Sequence, residues 1–283
     1  MTDRYADVGD IRLHYIDEGN GPLVVMLHGF PEFSFSWRKQ IPALVRAGYR
    51  VIAPDLRGYG ESSRPEGVDA YRMLLIVQDI AGLIVQNGGK CTLVGHDWGG
   101  IASWLVPMLH PQLIERLVIM NAPHFVPMRR EISRSLGQKL RLTYQLFFNI
   151  PVLPEIFIRL FGRMLMRRIG SFTEDEVTRY VETWRKPGAT TAMLNYYRAI
   201  RKYRAELRGV VRKLELPVML IWGEQDPVFH KEMTEDFSDW VPNLRLERIP
   251  EAGHFVQTDA PEKVNALLID FLKTADGSRQ TAD

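Results

Sequence analysis

An aspartate, Asp97, stands where a sharp turn would expose its side chain. It lies at the centre of segment 95–99, GHDWG, between an apolar stretch typical of a buried strand (91–95) and a stretch typical of a helix (99–109). The flanking glycines permit the tight strand-to-helix turn that presents a nucleophile, usually serine, to a substrate. A carboxylate that attacks saturated carbon forms an ordinary ester, whereas attack on an acyl carbonyl would form a high-energy anhydride. Asp97 therefore favours substrates with a leaving group on sp³ carbon.

Two further residues, Asp226 and His254, are expected to complete a catalytic triad with Asp97. Each follows a predicted strand, at 217–221 and 244–248, so their loops should meet Asp97 at one end of a sheet. Near neutral pH a histidine can take a proton from water, while a carboxylate orients the ring and stabilises the imidazolium. Each residue alone also fits an ordinary loop, but the order nucleophile, acid, histidine favours catalysis.

The elements that must position these residues alternate between strand-like and helix-like patterns. Short apolar runs predict strands buried on both faces, and the stretches between them have helical spacing. This alternation predicts an α/β fold with a mostly parallel central sheet flanked by helices. The predicted strands are 23–27, 49–53, 91–95, 117–120, 217–221 and 244–248, and the predicted helices are 35–47, 73–86, 99–109 and 261–273.

A helical segment at 126–213 interrupts this alternation. It has no convincing buried strand, and prolines at 151, 154 and 187 divide it into helical stretches. We expect an inserted all-helical lid over the carboxyl ends of the strands, with the core formed by 1–125 and 214–275 and a disordered tail at 276–283. The segment holds 19 basic and 7 acidic residues, whereas the remainder holds 17 and 27. A solvated lid face above an acidic core is the favoured interpretation, with a membrane surface or acidic partner as the alternative.

Composition excludes several classes of function. The chain has 283 residues and a net charge of +2, which gives no support for nucleic-acid binding. One cysteine, Cys91, excludes an internal disulfide, and no zinc spacing is present. We find neither a signal-peptide pattern nor an apolar run of roughly 18 residues, so a cytoplasmic protein without membrane insertion is expected. A monomer and a homodimer are both compatible with the sequence.

Five motifs along the chain resemble those of α/β-hydrolase-fold epoxide hydrolases, which are distantly related to haloalkane dehalogenases. Each motif is weak alone, but all five in the family's order are specific. The resemblance implies the α/β-hydrolase fold, a hydrolase acting on the ether bond of a small apolar epoxide, and no metal or organic cofactor. The motifs are 28–32 (HGFPE), 55–60 (DLRGYG), 95–100 (GHDWGG), 223–227 (GEQDP) and 253–255 (GHF).

Hydrolysis of an ester on Asp97 requires backbone N–H groups that face the developing oxyanion. Trp98, which follows the nucleophile, is the expected first donor. The resemblance implies that Phe30 is the second donor and that the Phe30-Pro31 bond is cis. His28 and Pro31 are expected to shape this loop without touching substrate.

The leaving group distinguishes an epoxide hydrolase from a dehalogenase. An alkoxide needs an acidic O–H nearby, which a protonated tyrosine supplies, whereas a halide requires only N–H donors. Tyr144 and Tyr197 stand in contexts that resemble the family's epoxide-polarising tyrosines, and the neighbouring Tyr196 is rejected. Phe30 replaces the asparagine of many haloalkane dehalogenases, and no arginine stands at 98 or 101 to hold a carboxylate as in fluoroacetate dehalogenases.

The sequence therefore predicts hydrolysis of an epoxide to a vicinal diol through an Asp97 alkyl ester. A haloalkane dehalogenase-type hydrolase remains the first alternative, and a non-catalytic ligand-binding protein on the same fold remains the second. Four aromatic residues are candidates for lining an apolar substrate pocket, although each fits a packed core equally well: Trp37, Phe125, Phe148 and Phe255.

Overall fold

A central sheet of eight strands organises the computed structural model, which describes residues 1–274. The tail predicted to be disordered, 276–283, lies outside the described residues. The strands pair in the order β1-β2-β4-β3-β5-β6-β7-β8; β1 and β2 are antiparallel to their neighbours, and the others are parallel. The strands are β1 Thr2–Val8, β2 Ile11–Glu18, β3 Leu23–Leu27, β4 Arg50–Pro54, β5 Cys91–His96, β6 Ile114–Met120, β7 Val218–Gly223 and β8 Leu244–Ile249.

Helices cover both faces of this sheet. The side chains of β3 alternate between two buried apolar clusters, with Val24 and Met26 in one and Val25 and Leu27 in the other. The first cluster includes residues of α1 and α11, and the second includes residues of α2 and α3. The helices are α1 Ile41–Arg46, α2 Met73–Gln86, α3 Asp97–Leu109, α4 Phe125–Arg134, α5 Leu136–Arg141, α6 Tyr144–Phe148, α7 Leu153–Ile169, α8 Glu174–Trp184, α9 Ala189–Tyr203, α10 Val256–Asp259 and α11 Pro261–Lys273.

The predicted mostly parallel sheet is confirmed, but the first two strands were missed. Strand β1 is largely polar and exposed because it lies at the edge of the sheet and packs on only one side. Gly9, with a φ of +59°, and Asp10 form the two-residue turn between the paired Val8 and Ile11. A glycine-aspartate pair between two short strands is a hairpin signal that the sequence contained.

The continuous helix predicted at 35–47 was wrong. A 3₁₀ turn at Ser34–Trp37 and the short helix α1 occupy this stretch instead. Pro42 stands in the first turn of α1, where its missing N–H costs nothing; within a longer helix the same residue would leave a preceding carbonyl unpaired. Helix α3, predicted from residue 99, begins at Asp97 itself.

Six helices, α4 to α9, follow β6 and precede β7. The structure describes every residue of 126–213, which we term the lid segment, and it contains no strand. Among the described residues, no single helix is long and apolar enough to cross a membrane. Two consecutive helical segments, Leu136–Phe148 and Leu153–Ile169, together have the length and composition of a membrane-spanning helix, but the chain bends by 112° between them.

Candidate active site

Asp97 occupies a strained, tightly packed turn between β5 and α3. Its φ of +49° lies in the left-handed region, which side chains other than glycine rarely adopt. A Cβ atom on Gly99 would lie 2.3 Å from the carbonyl oxygen of Leu27, and one on Gly29 would lie 2.3 Å from the Cβ of Asp97. Glycine at these positions is therefore a steric requirement of the turn. Strain of this kind is a feature of functional sites, where surrounding structure maintains it.

The three predicted triad residues lie together at the carboxyl ends of the strands. Oδ2 of Asp97 lies 3.5 Å from Nε2 of His254, and Nδ1 of His254 lies 2.9 Å from Oδ2 of Asp226. Each ring nitrogen of His254 therefore faces a carboxylate, Asp97 on one side and Asp226 on the other. This geometry allows His254 to exchange protons with Asp97 or with a water molecule beside it.

Asp226 is buried and fully hydrogen-bonded. Its Oδ1 accepts the N–H groups of Val228 (2.6 Å) and Phe229 (3.1 Å), and its Oδ2 accepts the side-chain amide of Asn121 (2.7 Å). Asn121, at the end of β6, also accepts the N–H of Gly223 and so ties β7 to the site. Sequence reasoning missed Asn121, although a polar residue at the carboxyl end of a predicted strand is a signal for a site residue.

The backbone N–H of Phe30 donates to Oδ1 of Asp97 at 2.7 Å. The adjoining Phe30-Pro31 bond is cis, as the resemblance implied. Trp98 is the second residue of α3, where backbone N–H groups have no partner within the helix. His28 is fully buried and accepts the N–H of Leu56 through Nε2 (3.0 Å), which fits a structural role in this loop.

Opposing effects set the protonation states of the triad. Burial lowers the pKa of His254, but the charges and hydrogen bonds of Asp226 and Asp97 more than offset this effect and raise the pKa to about 10. Burial alone would raise the pKa of Asp97 and of Asp226, yet His254 holds both below their ordinary values. The resting site at neutral pH therefore contains two carboxylates around one imidazolium.

Tyr144 and Tyr197 face the same cavity from α6 and α9 of the lid segment, with ring centroids 5.9 Å apart. Burial raises the pKa of both hydroxyls, and the Asp97 charge raises them further. Both tyrosines therefore remain protonated donors at neutral pH. The rejected neighbour, Tyr196, points elsewhere, because its hydroxyl donates to the carbonyl of Arg57 at 2.8 Å.

A cavity of about 540 Å³ contains Asp97 and His254 at its base and the two tyrosines in its wall. Two of the four pocket candidates, Phe148 and Phe255, line it. The other two, Trp37 and Phe125, are not among the residues that line it. The remaining wall is largely apolar: Phe30, Pro31, Phe147, Phe157, Ile158, Gly162, Leu165, Met166, Ile169, Trp184, Pro227 and Val228.

Packing against the apolar clusters on the two faces of the sheet explains why Trp37 and Phe125 lie outside the cavity wall. Trp37 is fully buried in the apolar cluster beneath α1 and α11. Phe125 begins α4 and packs beside His124, whose ring stacks on Phe237 at 5.4 Å. Aromatic residue type alone cannot distinguish these core positions from the cavity wall.

A buried polar network connects the lid segment with the loop that carries Phe30. The carboxylate of Glu32 accepts the hydroxyl of Tyr180 (3.0 Å) and the amide of Gln257 (3.0 Å). The indole N–H of Trp184 donates to the carbonyl of Pro31 at 2.6 Å. Helix α8 therefore fixes the loop that positions the Phe30 N–H. Glu32 was quoted in a motif but received no role from the sequence.

One cluster outside the cavity has ligand types that bind metal ions. Glu131, His230 and Glu232 place one ligand atom each within 4.8 Å of one another. Nδ1 of His230 lies 3.2 Å from Glu131, so this cluster connects α4 with the core. None of these residues lines the cavity around Asp97.

Most of the chain that carries this site is similar to known proteins. A family model described as alpha/beta hydrolase fold matches residues 22–261. Mouse epoxide hydrolase 4 is 35% identical over 95% of this chain and 78% of its own length. The chain belongs to the α/β-hydrolase-fold epoxide hydrolase family.

Sequence and structure comparisons extend this likeness along the chain. In sequence, the AB hydrolase superfamily protein YfhM of Bacillus subtilis is 39% identical over 95% of this chain and 97% of its own length. A mutant epoxide hydrolase from Bacillus megaterium, solved with its naphthyloxy-propanediol product, superposes with a TM-score of 0.88 at 33% identity. That likeness covers 96% of this chain and all of the other. The predicted α/β-hydrolase fold and family are therefore confirmed.

Proposed function

We propose that this protein is an epoxide hydrolase that adds water to a small apolar epoxide and releases a vicinal diol. The observation that carries the proposal is the position of Asp97 in an apolar cavity that two protonated tyrosines, Tyr144 and Tyr197, also line. Named relatives are epoxide hydrolases, one of them solved with a diol product. The core, 1–125 and 214–275, supplies the triad, and the lid segment supplies the tyrosines.

The first step forms a covalent ester on Asp97. Oδ1 is held by the N–H of Phe30, so Oδ2 is the oxygen that attacks a ring carbon. The ring C–O bond breaks with its electron pair on oxygen, and Tyr144 and Tyr197 donate hydrogen bonds to this alkoxide. Over this step the alkoxide gains one proton and becomes a hydroxyl, and His254 loses one proton and becomes neutral.

Alkylation itself converts His254 into a base. Two carboxylates raise the pKa of His254 in the resting site, and one of them is Asp97. An Asp97 ester carries no charge, so this contribution disappears and the pKa of His254 falls towards neutrality. The histidine is therefore protonated while Asp97 attacks and becomes available as a base once the ester exists.

The second step hydrolyses the ester. Neutral His254, oriented by Asp226, takes a proton from water, and the hydroxide attacks the Cγ atom of Asp97. The oxyanion on Oδ1 is stabilised by the N–H groups of Phe30 and Trp98. Collapse releases the diol oxygen, which takes the carboxyl proton, and leaves Asp97 ionised beside protonated His254. The resting state is thereby restored.

The dehalogenase alternative uses the same triad but a different leaving group. A halide needs N–H donors, whereas the cavity wall presents two hydroxyl groups in apolar surroundings. Phe30 contributes a ring where many dehalogenases carry an asparagine amide, and this ring packs against Tyr197 at 5.2 Å. These contacts favour an alkoxide as the leaving group.

One side-by-side assay distinguishes the candidate functions. Purified protein is incubated with styrene oxide, with diol formation as the measurement, and with 1-bromobutane, with bromide release as the measurement. We expect diol from the wild type and none above background from Asp97→Ala. Bromide release without diol formation would identify a dehalogenase, and turnover of neither substrate would support a binding protein.

A further inference from the structure

The outer surface of the lid segment is unusually apolar. Among the described residues, fourteen large apolar side chains are exposed, and ten of them lie between 136 and 164. Monomeric soluble proteins rarely expose contiguous apolar patches of this kind without a function. Eight of the ten follow one another from the end of α6 through α7, and we term them the apolar lid surface: Leu146, Ile150, Val152, Leu153, Ile156, Leu160, Phe161 and Met164.

Helix α7 is apolar on two opposite faces. Its inner face lines the cavity above Asp97 with Ile158 and Met166, among others. Its outer face carries Ile156, Leu160 and Met164, at the three-to-four-residue spacing of one helical stripe, and these side chains are 42–67% exposed. A helix of a globular protein normally buries one apolar stripe and turns a polar face to water. Packing among residues 1–274 therefore does not explain the outer stripe of α7.

The turn between α6 and α7 is held firmly while it exposes apolar side chains. The guanidinium of Arg198 donates to the carbonyls of Phe148 (3.2 Å) and Ile150 (3.0 Å) and pairs with Glu155 (2.8 Å). Val152, at the tip, has a φ of +67° although β-branched residues avoid positive φ, and it is 62% exposed. The chain thus maintains a strained conformation that directs a large apolar side chain into solvent.

Arginines are frequent in the segment that carries this apolar surface, and some of them lie on α7 itself. The lid segment carries twelve more basic than acidic residues. Arg159 and Arg168 on α7, and Arg129 and Arg134 on α4, are exposed and have no ion-pair partner among the residues that the structure describes. An apolar stripe beside unpaired arginines is the composition of a helix that lies in the interface of a membrane with anionic lipids.

We infer that the apolar lid surface docks onto an anionic lipid bilayer, with α7 parallel to the membrane plane. Its leucine, isoleucine, valine and phenylalanine side chains enter the boundary between headgroups and acyl chains, and the arginines bind lipid phosphates. Contact with one leaflet is sufficient, so no helix crosses the membrane. The inference does not depend on the proposed function, because it rests on the outer face of the lid.

Charge favours a membrane over a second copy of this chain. A symmetric dimer would bring two identical basic surfaces together and oppose unpaired arginines to one another. An anionic leaflet instead presents the complementary charge to every arginine at once, at about 1 kcal/mol for each basic residue near the surface. The acidic remainder of the chain would then face away from the lipid.

Vesicle binding tests the apolar contact. Wild-type protein is sedimented with vesicles of phosphatidylcholine and phosphatidylglycerol, and separately with vesicles of phosphatidylcholine alone. We expect binding to the anionic vesicles and a fall of about tenfold or more in partitioning for Leu160→Asp. The matched control is Val85→Asp, which alters an equally exposed side chain on α2 (60%, against 67% for Leu160) and should leave binding unchanged.

A second pair of variants tests the charged contact. Arg159→Glu should weaken binding to the anionic vesicles about fivefold or more, and binding should fall with added salt. The matched control is Arg46→Glu, which reverses an exposed arginine on α1 of the core that has no ion-pair partner in the described part of the chain. Diol formation from a water-soluble epoxide is measured for all four variants as a control for folding. None of the four residues lines the cavity, so this activity should be unchanged.

Three results would overturn the inference. Failure of the wild type to bind anionic vesicles would exclude a lipid surface. Equal loss of binding in Leu160→Asp and Val85→Asp, or in Arg159→Glu and Arg46→Glu, would show adsorption without a defined docking face. A dimer in sedimentation equilibrium that Leu160→Asp converts to monomer, without vesicle binding, would assign the surface to a second copy of this chain.

Discussion

The two sides of the cavity are built differently. On the core side, Asp97, Asp226 and His254 are fixed by hydrogen bonds at strand ends, with the triad partners 2.9 and 3.5 Å apart. On the lid side, Tyr144 and Tyr197 are placed mainly by ring packing, at centroid distances of 5.0 to 5.9 Å from each other and from Phe148. In the proposed mechanism, directional bonds position the residues of attack and hydrolysis, whereas adaptable aromatic packing positions the two hydroxyl groups assigned to the leaving oxygen.

The core side should tolerate change least. Asp226→Asn keeps the shape of the residue but removes the charge that stabilises the His254 imidazolium, so we expect kcat to fall about 10³- to 10⁴-fold. Steady-state diol formation measures this, with circular dichroism as the control for folding. A loss of less than tenfold would mean that Asp226 only fills space beside the histidine.

The lid side should show a smaller, leaving-group-dependent loss. Tyr197→Phe or Tyr144→Phe removes one of two hydroxyl donors, and we expect kcat/KM to fall about 10²-fold for each. The matched control is Tyr196→Phe, whose hydroxyl binds the carbonyl of Arg57 and should leave kcat/KM within a few-fold of the wild type. If kcat/KM fell equally in Tyr196→Phe and Tyr197→Phe, Tyr197 would not be a donor to the leaving oxygen.

Acidity should separate the two steps. Attack needs ionised Asp97, whose pKa lies below the ordinary value, and protonated His254, whose pKa is raised to about 10, so kcat/KM should stay flat from about pH 5 to about pH 9. Ester hydrolysis needs neutral His254, so kcat should rise about tenfold per pH unit until the lowered pKa of His254 in the ester is passed. Parallel pH profiles of kcat and kcat/KM would contradict a change in the pKa of His254 between the steps.

The contact between the two sides should affect stability more than chemistry. Tyr180→Phe leaves the buried carboxylate of Glu32 without one donor, which we expect to cost about 1 to 3 kcal/mol of unfolding free energy. Urea denaturation measures this, and Tyr5→Phe, at an exposed ring, is the control. An unchanged midpoint in Tyr180→Phe would show that this hydroxyl does not hold the lid to the core.

Local patterns anticipated the core better than the lid. Strands buried on both faces are continuous apolar runs, and a strand followed by a glycine-flanked aspartate specifies where that carboxylate lies. The support of Asp226 by Asn121 and the link between Glu32 and Tyr180 join residues more than 100 positions apart, so no local pattern reveals which residue is the partner of which. Trp37 and Phe148 are both aromatic, and only tertiary packing decides that one is core and the other cavity wall.

The central claim is a covalent ester on Asp97, and His254→Gln tests it most directly. This variant keeps the nucleophile, the Phe30 N–H and both tyrosines but lacks the base for the second step. After incubation with styrene oxide, we predict an increase in intact mass by one epoxide, located on the peptide that contains Asp97 and absent when Asp97→Ala is combined with it. Continued diol formation by His254→Gln without any adduct would contradict the account, because water would then attack the epoxide directly.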